Sequence, residues 1–171
     1  QVAAEKMLYN DIGVLAAATA FGKTVLGAYL IAQKKVNALV LVHNVEIMNN
    51  WIKDLNSFLT INEELPTYTT PKGRVKKRSS LIGTFSSQKD ATTGIIDIAM
   101  ITSLGREDNI NELVRNYGMV IVDECHHAAA VTHENVLRAV TARYIYGMSA
   151  TINRGDRQDK KMLMQLGPIR H

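Results

Sequence analysis

The chain has 171 residues, 46% of them apolar, which is enough for one domain with its own core. Its 20 Lys and Arg against 16 Asp and Glu give a formal net charge of +4. The one Cys excludes an internal disulfide and fits a reducing compartment. No apolar run reaches transmembrane length, and no signal-peptide pattern opens the chain. The expected location is therefore cytoplasmic, away from membranes.

In chain order, residues 3–8 read as a short helix, and Gly13-Val14-Leu15-Ala16-Ala17 as a strand that is small and apolar on both faces. Thr24 to Gln33 reads as a helix with Leu26, Leu30 and Ile31 on one side. Between strand and helix runs Ala17-Ala18-Thr19-Ala20-Phe21-Gly22-Lys23-Thr24. A loop ending Gly-Lys-Thr in this setting points backbone N–H groups at an anion, at the positive end of the helix. Lys23 would reach the β- and γ-phosphates of a nucleotide, and the Thr24 hydroxyl would ligate Mg²⁺. The phosphate-binding stretch is thus Thr19, Ala20, Phe21, Gly22, Lys23, Thr24 and Val25. Ala17 stands where such loops usually open with Gly, and Ala20 where many carry a second Gly.

Leu39 to Val42 reads as the next strand. Val45 to Phe58 follows as a helix with Ile47, Trp51, Ile52 and Leu55 on one face, where Trp51 suits core packing better than base stacking. Residues 66–90 break the alternation as a polar, basic hairpin or loop insertion. Lys72, Arg74, Lys76, Lys77 and Arg78 place five cations in seven positions without a neighbouring acid. Tyr68-Thr69-Thr70 and residues 80–84 would form the two arms. Such an arm could attract nucleic-acid phosphates, or be a solvated loop whose charge aids solubility. Residues 109–116 and 133–142 read as helices that lead into strands at 118–122 and 143–149. The alternation implies α/β architecture, a mostly parallel sheet with helices on both faces.

The strand Met119-Val120-Ile121-Val122 ends in Asp123-Glu124. Asp123 would sit at the carboxyl end of a central strand and hold Mg²⁺ through water. Glu124 would orient or deprotonate an attacking water. Lys23, Asp123 and Glu124 are thus the candidate catalytic residues, and Thr24 and Asp123 the metal ligands, of an NTPase that uses Mg²⁺. Cys125 reads as a small buried residue beside the carboxylates. His126 and His127 have no further Cys or His at zinc-ligand spacing.

These pieces resemble the first RecA-like motor domain of superfamily 2 helicases and translocases, in order and in spelling. Asp123-Glu124-Cys125-His126 is a DECH form of the DEAD/DEAH box, and Ser149-Ala150-Thr151 matches the family's Ser-Ala-Thr motif. Leu39 to His43 followed by Trp51, and Ile98 to Leu104 with Thr102 and Ser103, look like its nucleic-acid-contacting segments. The resemblance is closest to bacterial helicases found beside restriction or defence functions, and it covers about residues 1–171 as one P-loop domain. It implies that the nucleotide is ATP, that the domain is an ATPase, and that Ser149, Thr151 and His126 couple its hydrolysis to nucleic-acid binding. It also implies a second RecA-like domain in a longer protein, a nucleic-acid track with DNA favoured over RNA, and a possible nuclease or defence-system partner. Asn44 and Ile152 depart from the family's usual Arg and Pro. Two rival readings remain: a nucleic-acid-binding module whose degenerate nucleotide site does not hydrolyse, and a P-loop phosphotransferase acting on small molecules.

Overall fold

A computed structural model describes residues 2–16, 22–106, 109–125, 131–150 and 163–170. Helix α1 (Val2–Tyr9) leads into strand β1 (Ile12–Ala16), helix α2 (Lys23–Lys34), strand β2 (Ala38–Val42) and helix α3 (Val45–Phe58). Next come the short strands β3 (Thr67–Thr69) and β4 (Val75–Lys77), then β5 (Ile82–Ser86), β6 (Lys89–Asp90) and β7 (Ile96–Met100). One helical turn, α4 (Ile101–Leu104), precedes β8 (Gly105–Arg106) and β9 (Asn109–Ile110). The chain then forms β10 (Met119–Asp123), α5 (Val131–Ala139) and β11 (Tyr144–Ser149).

Seven strands form the central sheet in the order β1-β11-β10-β2-β7-β5-β6. All neighbours are parallel except the β5–β6 hairpin at one edge. At the other edge, Ile169 bridges to Val14 in parallel. The middle strands are apolar on both faces because both faces are covered. In β2, Leu39 and Leu41 join one core layer and Val40 and Val42 the other, as the period of two requires. Leu30, Trp51 and Leu55 pack on the Val40 side, and Val136, Leu137 and Leu166 on the Leu41 side. This is the mostly parallel, helix-covered α/β sheet expected from the alternation.

Two local expectations are corrected. Residues 80–84 are not the second arm of the basic hairpin. The arms are β3 and β4, paired antiparallel around the tight turn at Gly73, whose φ is 73°. Thr70 closes that turn by accepting from the Arg74 N–H at its side chain and donating its own N–H to the Arg74 carbonyl. Ile82 is buried, and β5 joins the central sheet beside β7, where its apolar residues leave water. Nor is 109–116 a helix. Asn109 and Ile110 pair with β8, and Asn111 then caps one 3₁₀ turn, Glu112–Arg115, by accepting from the Leu113 N–H at 2.9 Å. Asn favours such a local cap over an α-helical interior.

At the amino ends of the strands, Asp97 organises a polar knot that the sequence pattern did not single out. The residue is fully buried. Its carboxylate accepts from the Thr93 N–H at 2.7 Å, the Gly94 N–H at 2.7 Å and the Tyr117 hydroxyl at 2.6 Å. Burial, then the Asp97 carboxylate, pushes the Tyr117 hydroxyl well above its ordinary range, so it remains a donor. Replacing Asp97 with Ala strands the buried Tyr117 hydroxyl and removes the acceptor of the part-buried Thr93 and Gly94 N–H groups. The expected loss of stability is about 3 kcal/mol or more, read from urea unfolding. A loss below about 1 kcal/mol, the size of one ordinary hydrogen bond, would contradict this account of the knot.

Candidate nucleotide site

The parallel sheet brings the carboxyl ends of β1, β11 and β10 side by side. Ala16 lies opposite Ser149, and Met148 opposite Asp123. Helix α2 begins at Lys23, just beyond β1. Its N-cap is Gly22 at φ 75°, a left-handed position that glycine takes without strain, and among the described residues no side chain caps the helix. The helix start is therefore backbone N–H and positive dipole, suited to an anion.

Gly22, Lys23, Thr24, Trp51, Asp123 and Glu124 line one open cleft of about 390 Å³. Lys23 is buried, and its ammonium donates to Glu124 Oε1 at 2.6 Å, with little solvent on either side chain. Glu124 Oε2 accepts from the Ala150 N–H at 3.4 Å. Asp123 Oδ1 accepts from the Glu124 N–H at 2.9 Å, and its Oδ2 from the Trp51 indole N–H at 2.7 Å. Glu124 takes φ 48°, in the left-handed region where a residue with a Cβ is strained. Strain of this kind costs on the order of 1–3 kcal/mol and persists where surrounding contacts over-determine it.

Of the residues expected here, Gly22, Lys23, Thr24, Asp123 and Glu124 do share the cleft, and Val25 lies in the first turn of α2. Ser149 is fully buried at the end of β11, beside β1. Thr19, Ala20, Phe21, His126 and Thr151 lie outside the described residues. Thr102 and Ser103 sit in α4 at the same carboxyl edge. The Ser103 hydroxyl accepts from the Ser87 N–H at 2.9 Å, which ties the β5–β6 turn to α4. The cations Lys72, Arg74, Lys76 and Lys77 are exposed on the β3–β4 hairpin, a two-stranded sheet separate from the central one, and none of them lines the cleft. Arg78 is half-buried, its guanidinium 4.2 Å from the centre of the Tyr68 ring.

Three features go beyond the reading of the sequence. Asn44, noted only as a departure from Arg, is the N-cap of α3 and accepts from the Ile47 N–H at 2.8 Å. The motif Asn followed by Glu in the first turn could have signalled it. His43 and His133, far apart in the chain, meet Asp123 and Glu124 around a small cavity of about 10 Å³. Trp51, read as packing, also binds a carboxylate. A larger hollow of about 580 Å³ lies at the amino ends of the strands, lined by Lys35, Asn37, Ile61, Glu63 and Gly94 among others. It faces the negative end of α2 and suits an anion poorly.

The family model described as "Type III restriction enzyme, res subunit" matches residues 3–154. A protein of Acanthamoeba polyphaga mimivirus, named as an ATP-dependent RNA helicase, is 26% identical over 159 residues, which make up 93% of this chain and 27% of that protein. The UvsW helicase of bacteriophage T4 superposes with a TM-score of 0.69 at 12% identity, over 99% of this chain and 58% of that one. The SWI2/SNF2 ATPase core of Sulfolobus solfataricus, solved in complex with dsDNA, gives 0.68 at 14% identity, over 96% of this chain and 34% of that one. These likenesses show the RecA-like fold of helicase motor domains.

Burial, and after it the Glu124 charge, pushes the Cys125 thiol up to about 12. At pH 8 only about one thiol in ten thousand is then ionised, and the thiolate is the reactive form. The folded chain should therefore react with a disulfide reagent at least about 100-fold more slowly than the chain unfolded in urea. Equal rates would contradict the buried placement.

Proposed function

This chain belongs to the family of the res subunit of type III restriction enzymes, and on that premise we propose that it is the ATP-hydrolysing motor domain of a nucleic-acid helicase or translocase. One observation carries the reading: the start of α2 at Gly22 and Lys23 and the Asp123-Glu124 pair open into the same cleft. That combination fits a nucleoside triphosphate with Mg²⁺, and the carboxylate pair favours hydrolysis over a module that only binds nucleotide.

The roles follow from the geometry. The N–H groups at the start of α2 bind phosphate oxygens, and Lys23 exchanges Glu124 for the β- and γ-phosphates. Thr24 and Asp123 are the residues to hold Mg²⁺, which when bound offsets the charge of the phosphates. Once Lys23 has left it, Glu124 is free to orient or deprotonate the attacking water. The Ala150 N–H on Glu124 Oε2 gives the Ser149-Ala150-Thr151 segment a direct hold on that base. Movement of this segment against a nucleic-acid track would then reach the water-activating group. A second RecA-like domain in the longer protein would supply the remaining transition-state cations, and a nuclease or other defence partner fits the family's name.

Lys23→Ala should weaken ATP binding, since Lys23 meets the phosphates in the ground state. Glu124→Gln should bind ATP and fail to hydrolyse it. Measured together by fluorescent-nucleotide titration and phosphate release, normal turnover in Glu124→Gln would overturn the assignment of the base. The 171-residue chain itself should turn over slowly, because an arginine finger supplied from outside is worth about 10³–10⁵ in rate. A rate near 1 s⁻¹, of about the size a complete enzyme reaches, would contradict the shared-site reading.

The basic hairpin is the candidate grip on the track. Among the described residues, none of its cations forms an ion pair, and Arg78 braces it by stacking on Tyr68. Replacing Lys72, Arg74, Lys76 and Lys77 with Ser should flatten the salt dependence of binding by about 0.9 logarithmic units per lost duplex phosphate contact, or about 0.7 for a single strand. ATP binding should not change. An unaltered slope on DNA and RNA would leave the hairpin as a solvated loop.

A further inference from the structure

Trp51 stands out as a buried aromatic side chain whose polar atom reaches the site. It is the chain's one tryptophan and is 1% exposed. A buried indole N–H needs an acceptor, and a backbone carbonyl would serve. Here the acceptor is Asp123 Oδ2, at 2.7 Å. The other carboxylate oxygen, Oδ1, accepts from the Glu124 N–H at 2.9 Å. One donor on each oxygen fixes the plane of the carboxylate, which could otherwise rotate about its broad terminal torsion.

The indole is itself wedged. Gly27 lies one turn beyond Lys23 on α2, and a methyl group there would overlap the Trp51 ring. One ring thus sets how closely α2, which carries Lys23 and Thr24, approaches the end of β10, which carries Asp123.

We propose that Trp51 is a positioning residue for the metal-binding carboxylate: its indole N–H orients Asp123 so that Mg²⁺ and the phosphates on α2 are held at a fixed separation. This rests on the reading of the cleft as a Mg·nucleotide site. Each Asp123 oxygen keeps lone-pair capacity beyond its one protein donor, which suits contact with Mg²⁺ through water. Outer partners of this kind typically change metal affinity 10–100-fold when removed.

The test separates metal-dependent from metal-independent binding. Trp51→Phe keeps most of the ring and removes the N–H. Leu55→Ala, on the same helix and in the same core layer, is the structural control. Binding of a fluorescent ADP is titrated in EDTA and across Mg²⁺ concentrations. Trp51→Phe should leave affinity in EDTA within about twofold and raise the Mg²⁺ concentration needed for half of the Mg²⁺-dependent gain about tenfold or more. Leu55→Ala should leave that concentration unchanged. A second readout needs no mutation. The chain's one indole N–H proton resonance should shift with Mg·ADP and much less with ADP in EDTA. An unaltered Mg²⁺ requirement in Trp51→Phe, or an indole resonance indifferent to Mg²⁺, would overturn the proposal while nucleotide binding survives. If the unaltered chain binds no ADP under any condition, the parent reading of the cleft fails and this proposal with it.

Discussion

In the β1-β11-β10 ladder, Ala16 faces Ser149 and Asp123 faces Met148, so three segments far apart in the chain end level at one edge of the sheet. The site depends on that parallel register. A slip of one residue in β10 would turn Asp123 to the other face and bury a carboxylate among Leu137 and its neighbours. The register is protected because both faces of the sheet are apolar and covered, which leaves few alternative pairings of comparable burial. Hydrophobic burial therefore fixes the geometry, and the polar groups at the strand ends use it.

Within that frame the charges are arranged to be exchanged. The Lys23–Glu124 pair, at 2.6 Å and largely shielded from water, satisfies two groups that would be costly to leave unpaired. An anion at the start of α2 offers Lys23 an equivalent partner, and when Lys23 leaves it Glu124 keeps the Ala150 N–H and some access to water. Glu124 is held in a left-handed conformation by its neighbours. Releasing Lys23 removes one of those contacts, and the backbone at Glu124 then has a more relaxed region to move toward. Its contact with the Ala150 N–H links such movement to β11. On the proposed function, ion-pair exchange and strain would together give the site two arrangements, as coupling to a track requires.

Much of this was legible in the chain because the decisive features are local. Apolar runs bounded by Gly-Lys-Thr and Asp-Glu mark β1 with α2, and β10, and the helix over Val45–Phe58 follows from its apolar face. What was not legible is non-local. Residues 80–84 have the polar, turn-flanked look of a hairpin arm, yet β7 offers Ile82 a buried neighbour that no local signal reveals. Residues 109–116 contain a helix-compatible pattern, but Asn111 caps a 3₁₀ turn at once, and Asn109 and Ile110 find β8. Trp51 reads as core in any window because its acceptor lies 72 positions away. The meeting of His43 and His133 with the carboxylates depends equally on topology.

The central claim is that a nucleotide sits between the start of α2 and the end of β10. Hydrogen–deuterium exchange of the 171-residue chain with and without Mg·ADP tests it most directly, because it reads every segment at once. The account predicts slowed exchange in peptides covering 22–26, 121–125 and 148–150, with no change over the 67–77 hairpin. Protection confined to 35–37, 59–63 and 94–96, around the hollow at the opposite edge of the sheet, would contradict it.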